Sequence, residues 1–347
     1  MNYPAHISLR TAPGSAARRL RRLAVLLACA LTGAAAASAQ TADAQLGQYY
    51  EATTLYNAGA TGSTDFLRVR AGTRLQWIGI DNAPKDFFLV GDMPFQIGKK
   101  RLGVGAVVGS DSRGLFSNLD VSLQASYKIK LFKGTLSVGV QGSYFNQKFK
   151  GSDVVLPDDD DFHEGTDEAI PTQDVTGSAF DLGAGIWYTR GKWWGGIGGL
   201  HLLQPSVKLK VETASGSDAE ELEYFETELT RTLYLMGGGN IRLNNTLFEL
   251  EPSLMLAYDF TDFTGQADLR VRYNNFLTVG VGYRYDSAIK AELGAEYRNF
   301  YLGYVYEYPL NAIAKASSGT HEIMAGYRLK IDFSKKNRNR HRSIRLM

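Results

Sequence analysis

Glu292 and Glu296 stand four residues apart, with Lys290 and Arg298 beside them. Paired carboxylates are the equipment of general acid–base catalysis. Here the neighbouring cations would hold both carboxylates ionised, so these residues read as a salt-bridged face. His163, His201, His321 and His341 are scattered and follow no metal-ligand spacing. Asp158–Asp161, Glu164, Asp167 and Glu168 offer oxygen ligands that would suit calcium. Their order does not match a calcium loop with its fixed glycine, and a solvated acidic loop is the simpler reading. No G-x-S-x-G or Walker sequence occurs. The expectation is a non-enzyme with no catalytic, cofactor or metal site.

The elements around these residues alternate with a period of two. Leu269, Val271 and Tyr273 interleave with Arg270 and Arg272, and Leu277, Val279, Val281, Tyr283 and Tyr285 interleave with Thr278, Gly280, Gly282 and Arg284. Leu329, Ile331 and Phe333 alternate with Arg328, Lys330 and Asp332. About fourteen such segments are predicted, near 66–80, 84–95, 101–110, 118–130, 134–149, 178–190, 192–202, 229–242, 247–258, 264–273, 276–285, 288–297, 299–308 and 319–333. Short connections mix with long loops at 150–177, 203–228 and 309–318. That mixture is what a transmembrane β-barrel shows, with tight turns at one end and longer loops at the other.

A soluble β-sandwich is the competing architecture. One face of these strands carries Arg270, Arg272, Arg284, Glu292, Glu296, Arg328 and Lys330, which a sandwich core could not hold unpaired. The other face ends in Tyr273, Tyr285, Tyr297 and Tyr308, placed for interfacial girdles. The predicted fold is therefore all-β, an antiparallel outer-membrane barrel of about fourteen strands. A helical membrane protein is excluded, since no stretch after residue 40 holds about 18 consecutive apolar residues.

Charge divides the chain further. The five arginines of 1–39 and the six cations of 334–347 leave 27 basic against 36 acidic residues in 40–333. An acidic body gives no case for nucleic acid. Arg18, Arg19, Arg21 and Arg22 precede the apolar run Leu23–Leu31, and small residues end in Ala37-Ser38-Ala39. This is the order of a secretory signal peptide, cleaved before Gln40, with a second site at Ala42-Asp43-Ala44. The lone Cys29 lies in the apolar run and weakly resembles a lipoprotein processing site. The predicted organisation is a signal peptide over 1–39, a periplasmic segment over 40–65, the barrel over 66–333 and a basic periplasmic tail over 334–347. Two readings of the tail stay open: it binds anionic lipid head groups or an acidic partner, or it is a disordered solubilising tail. The inner charges are of mixed sign, among them Lys290, Arg298 and Asp332. Their pairing, with inward-folded loop segments, is expected to leave no open pore.

Three stretches resemble the PorP/SprF family of the type IX secretion system. The first runs from Leu75 through Gln76, Trp77, Gly79, Ala83, Pro84 and Lys85 to Pro94 and the glycine-rich Leu102–Gly105. The second is Tyr127–Leu131 with Gly134–Gly139. The third contains Tyr308 and Pro309, then Gly319, His321 and Glu322. A departure is Asn57-Ala58, where the family usually has Asn-Pro-Ala. The resemblance implies a non-enzymatic outer-membrane barrel that supports export or surface attachment of cargo, gliding adhesins among them. It also implies partners: periplasmic and lipoprotein components of the machinery, cargo with a type IX C-terminal domain, and outer-membrane lipid. The motif positions are implied as family positions, with no chemistry of their own. A diffusion porin or solute transporter and a surface adhesin or receptor remain the other function classes.

Overall fold

The computed structural model describes residues 43–98, 100–154, 171–211 and 223–331. The signal peptide, Cys29, the acidic run Asp158–Glu168, Asp332, Phe333 and the basic tail lie outside the described residues.

Seventeen strands form one sheet: β1 (Phe66–Leu75), β2 (Lys85–Ile97), β3 (Lys100–Arg113), β4 (Phe116–Leu131), β5 (Gly134–Phe149), β6 (Val175–Arg190), β7 (Trp193–Leu200), β8 (Ser206–Val211), β9 (Glu223–Glu228), β10 (Thr232–Gly239), β11 (Ile241–Arg242), β12 (Phe248–Tyr258), β13 (Phe263–Tyr273), β14 (Leu277–Arg284), β15 (Ala288–Tyr297), β16 (Phe300–Pro309) and β17 (Thr320–Lys330). Neighbours pair antiparallel, and β1 pairs with both β2 and β17, which closes the ring. β10 and β11 share the partner β12 and form one stave. β8 and β9 form a hairpin that rises from the wall, its ladder to β6 running through Val175 and Thr176. The wall is thus a closed antiparallel barrel of fourteen strands.

Two details differ from the sequence reading. Loop 203–228 contains the β8–β9 hairpin, because Val207 and Leu209 alternate with Lys208 and Lys210 and find partners on the returning strand. The first strand ends at Leu75 rather than 80. Trp77 (φ 52°), Gly79 (φ 103°) and Asn82 (φ 54°) adopt left-handed backbone, which cannot continue a strand.

One end of the barrel carries only connections of two to five residues, at 98–99, 132–133, 191–192, 243–247, 274–276 and 298–299. At 274–276 both Asn274 (φ 51°) and Asn275 (φ 53°) take the left-handed backbone that matches the twist of a tight hairpin. The opposite end carries the long connections 76–84, 150–174, 201–231 and 310–319. Outward side chains are apolar: Leu123 is 70% exposed, Val281 62% and Val140 60%. Tyr273, Tyr285, Tyr297 and Tyr308 also point outward. An apolar belt of this extent is stable against hydrocarbon rather than water. Inward positions carry Arg, Glu, Asp, Gln, Ser and Gly together with a buried apolar set, Phe88, Val107, Trp187, Met236, Met255 and Met324 among them.

Candidate functional site: the occupied lumen

The candidate site is the lumen, and the chain itself occupies it. The sequence reading set 40–65 apart as a periplasmic segment; the structure instead puts Asp43–Asp65 inside the wall. Asp43 bonds residues near the long-loop end of the barrel. Asp65 lies at the short-turn end, where its carbonyl accepts from Ile331. The segment suits an enclosed path. Leu46, Tyr49, Ala52, Tyr56, Ala58 and Ala60 are all buried. Tight turns satisfy much of its backbone, as where Glu51 N–H donates to Gln48 and Ala60 N–H to Asn57.

Half of the wall holds this segment with charge. The Glu322 carboxylate, fully buried on β17, accepts from Gly47 N–H (2.6 Å) and Gln48 N–H (2.9 Å). Arg74 makes a two-pronged pair with Glu307, 2.8 Å on each arm, and lies 3.7 Å from Glu322. Arg284 donates to Glu307 and to the side chain and carbonyl of Gln45. Lys290 pairs with Asp268 at 2.5 Å and donates to the Gly47 carbonyl at 3.2 Å. Deeper in, Arg270 stacks over the Tyr50 ring while the Tyr50 hydroxyl donates to Glu292. Arg70 pairs with Glu51 at 2.8 Å. Each of these buried groups has a partner of opposite charge or a hydrogen bond, which offsets the cost of taking it out of water.

The other half holds the segment by close approach. Asn57 donates to the Ile186 carbonyl and caps its own turn by accepting from Gly59 N–H. Gly139 lies against the Ala58 carbonyl, Gly185 against the Asn57 side chain, and Gly198 against the Tyr56 carbonyl. A Cβ at any of the three would overlap those atoms. Gln124 donates to the Thr54 carbonyl and accepts from Thr61, and Ser126 donates to the Thr61 carbonyl.

At the long-loop end His201, just past β7, lies between Asp43 (2.9 Å) and Asp181 (2.7 Å). Tyr234 also donates to Asp43. Burial opposes charge on the ring, but the two carboxylates outweigh it and raise the His201 pKa to about 10. A cavity of about 80 Å³ opens beside this cluster, between Leu55, Phe88, Asp120 and Phe145.

Several inner-face expectations need correction. Arg298 sits in the β15–β16 turn and stacks on Tyr297, so it does not neighbour Glu296 in the lumen. Glu296 pairs instead with Arg328 and Arg272, and Lys330 is exposed at the rim. The partners come from β13 and β17, each reaching past an intervening strand to β15, which spacing along one strand cannot show.

The family positions fall in two places. Gln76, Trp77, Gly79, Ala83 and Pro84 form the β1–β2 connection, which meets the β16–β17 connection. Gln76 N–H donates to the Pro84 carbonyl, Ile78 N–H to the Gly319 carbonyl, Trp77 N–H to the Thr320 hydroxyl, and Ser318 N–H back to Ile78. Gly319 has φ 95°. Lys85 begins β2 on the outside, and Tyr308 points outward beside Pro309, the end of β16. His321 bonds the Tyr304 hydroxyl at 2.7 Å. Pro94 is separate, buried on β2 opposite Gly103. Of these, Glu322 bonds the inserted segment through its side chain. The sequence reading missed Asp43, Glu51, Asn57 and Glu307. The available signal was the run of small and aromatic residues at 44–60, too apolar for a solvated linker.

The family model for the type IX secretion system membrane protein PorP/SprF matches residues 38–327, from ahead of the inserted segment to the last strand. The chain belongs to the PorP/SprF family. Among curated protein sequences none matches it. Solved structures similar to this PorP/SprF chain include the Ralstonia pickettii toluene transporter TbuX, with 10% identity and a TM-score of 0.48 over 81% of this chain and 94% of that one. A Pseudomonas aeruginosa FadL homologue has 9% identity and a TM-score of 0.45 over 80% and 93%.

Proposed function

We propose that this chain is a non-enzymatic outer-membrane component of type IX secretion. It supports export or surface attachment of cargo without passing that cargo through its own lumen. The observation that carries this reading is the segment Asp43–Asp65, held along the lumen by ion pairs and close backbone contacts. A folded cargo protein is wider than a fourteen-strand ring even when that ring is empty. Cargo then passes through a partner, and this barrel acts by binding. In this reading the signal peptide directs Sec export, the long-loop end faces outward, and the short-turn end faces the periplasmic and lipoprotein components of the machinery. The test is secretion of a reporter fused to a type IX C-terminal domain, measured with and without this chain. Reporter that still reaches the cell surface when the chain is deleted would overturn the proposal. The purified protein should show little steady conductance in planar bilayers. A large, stable conductance would favour the porin reading instead.

A further inference from the structure

The two ends of the barrel differ in charge. At the long-loop end exposed acids such as Asp81, Asp153, Glu226, Glu228 and Asp286 mix with Lys85, Lys148, Lys208 and Lys315. At the short-turn end cations predominate. Lys133 and Lys192 lie in turns, Lys128 and Lys130 end β4, Arg298 lies in the β15–β16 turn, and Lys330 ends β17. All but the half-buried Lys128 are exposed. Among the described residues, no acidic side chain lies within ion-pair distance of these six, whereas Arg101 at the same end pairs with Asp65 at 3.2 Å. Like charges left unpaired around one opening repel each other and raise a positive potential over it.

We propose that the short-turn mouth is a docking surface for an acidic face of a periplasmic protein. The assignment rests on the reading above only in placing this end in the periplasm. Two observations favour a protein over lipid. Lys128, Lys130 and Lys330 share strand parity with the inward residues Gln124, Ser126 and Glu322, so they project over the mouth and away from the perimeter where head groups lie. The cations are also spread around a ring about 20–30 Å across. A small anion needs convergent donors, whereas an extended acidic surface meets dispersed ones.

The test uses the full-length purified protein in detergent and a fluorescein-labelled oligo-glutamate peptide as probe, with anisotropy read at low and moderate salt. The expected result is salt-sensitive binding that weakens about tenfold or more in the Lys128→Gln/Lys130→Gln/Lys330→Gln variant. The outward-facing pair Lys100→Gln/Arg190→Gln should bind as the parent does. Heat-modifiability on gels reports folding, and if the triple variant fails it, Lys130→Gln and Lys330→Gln are read singly, each with a measurable loss. Unchanged binding in the inward variants would overturn the proposal. So would phosphatidylglycerol vesicles that bind the parent and are lost with the outward pair, which would assign the charge to lipid. Reporter secretion in cells separates the two readings. Lost probe binding with normal secretion would keep the surface and overturn the secretion role; unchanged probe binding would overturn the surface whatever the reporter does.

Discussion

The two halves of the lumen hold one inserted segment by different physics. The half built by β12–β17 and β1 presents Arg270, Arg284, Lys290 and Glu322 to residues 45–51, with Arg74 and Glu307 pairing behind Glu322 and Arg284. The half built by β3–β7 presents Gly139, Gly185, Gly198, Gln124 and Ser126 to residues 54–62. Charge bonds reach across space and tolerate side-chain adjustment. Glycine contacts bring the wall backbone directly onto the segment and leave no room for a side chain. The first half therefore sets the strength of the closure, and the second sets its fit.

The largest effect is expected on the charged side. Arg74→Met leaves Glu307 and Glu322 sharing less positive charge in a buried site. Removing one member of such a network costs about 3–5 kcal/mol. Equilibrium unfolding in guanidinium should show that loss, and an unchanged midpoint would mean the pair contributes little to holding the segment.

On the glycine side, Gly185→Val places a branched side chain where Asn57 sits. Overpacking of this kind costs about 1–3 kcal/mol, and here the inserted segment can move while the hydrogen-bonded wall cannot. The expected result is a folded, heat-modifiable barrel whose residues 43–62 become open to protease and whose lumen conducts. If Arg74→Met opens the lumen and Gly185→Val does not, the division between strength and fit is wrong.

The His201 cluster tests the end where the segment begins. Its pKa is raised from 6.5 to about 10 on folding, so its stabilisation is complete below pH 6.5 and is lost as pH rises through about 10. Protease access to the segment should increase over that window in the parent and lose that dependence in His201→Gln. Flat access in the parent would show that the Asp43–His201–Asp181 link does not hold the segment. Cleavage of the signal after Ala44 would remove Asp43 and give the same flat profile, so the mass of the mature protein belongs with this measurement.

The smallest effect is expected from Ser126→Ala, which removes one hydrogen bond to the Thr61 carbonyl. About 0.5–1.5 kcal/mol is the usual worth of such a bond. A loss as large as that of Arg74→Met would move the main anchor to the neutral side.

Strand alternation determined the wall. Period two, tight turns and a charged face opposite an apolar one are local properties, so fourteen staves and the direction of Arg270, Arg284 and Glu292 were legible in residue order. The family stretches around Trp77–Pro84 and Tyr308–Glu322 were legible for the same reason, being short and contiguous. Only the tertiary structure decided that Asp43–Asp65 enters the lumen. Its anchors on Glu322, Glu307, Lys290 and Gly185 lie more than a hundred residues away and come together only when β1 meets β17. Glycine on an inner face likewise reads as an empty position until the atom that fills it is known. Closure of the ring joins those distant positions, and no local pattern encodes which segment will occupy the space it encloses.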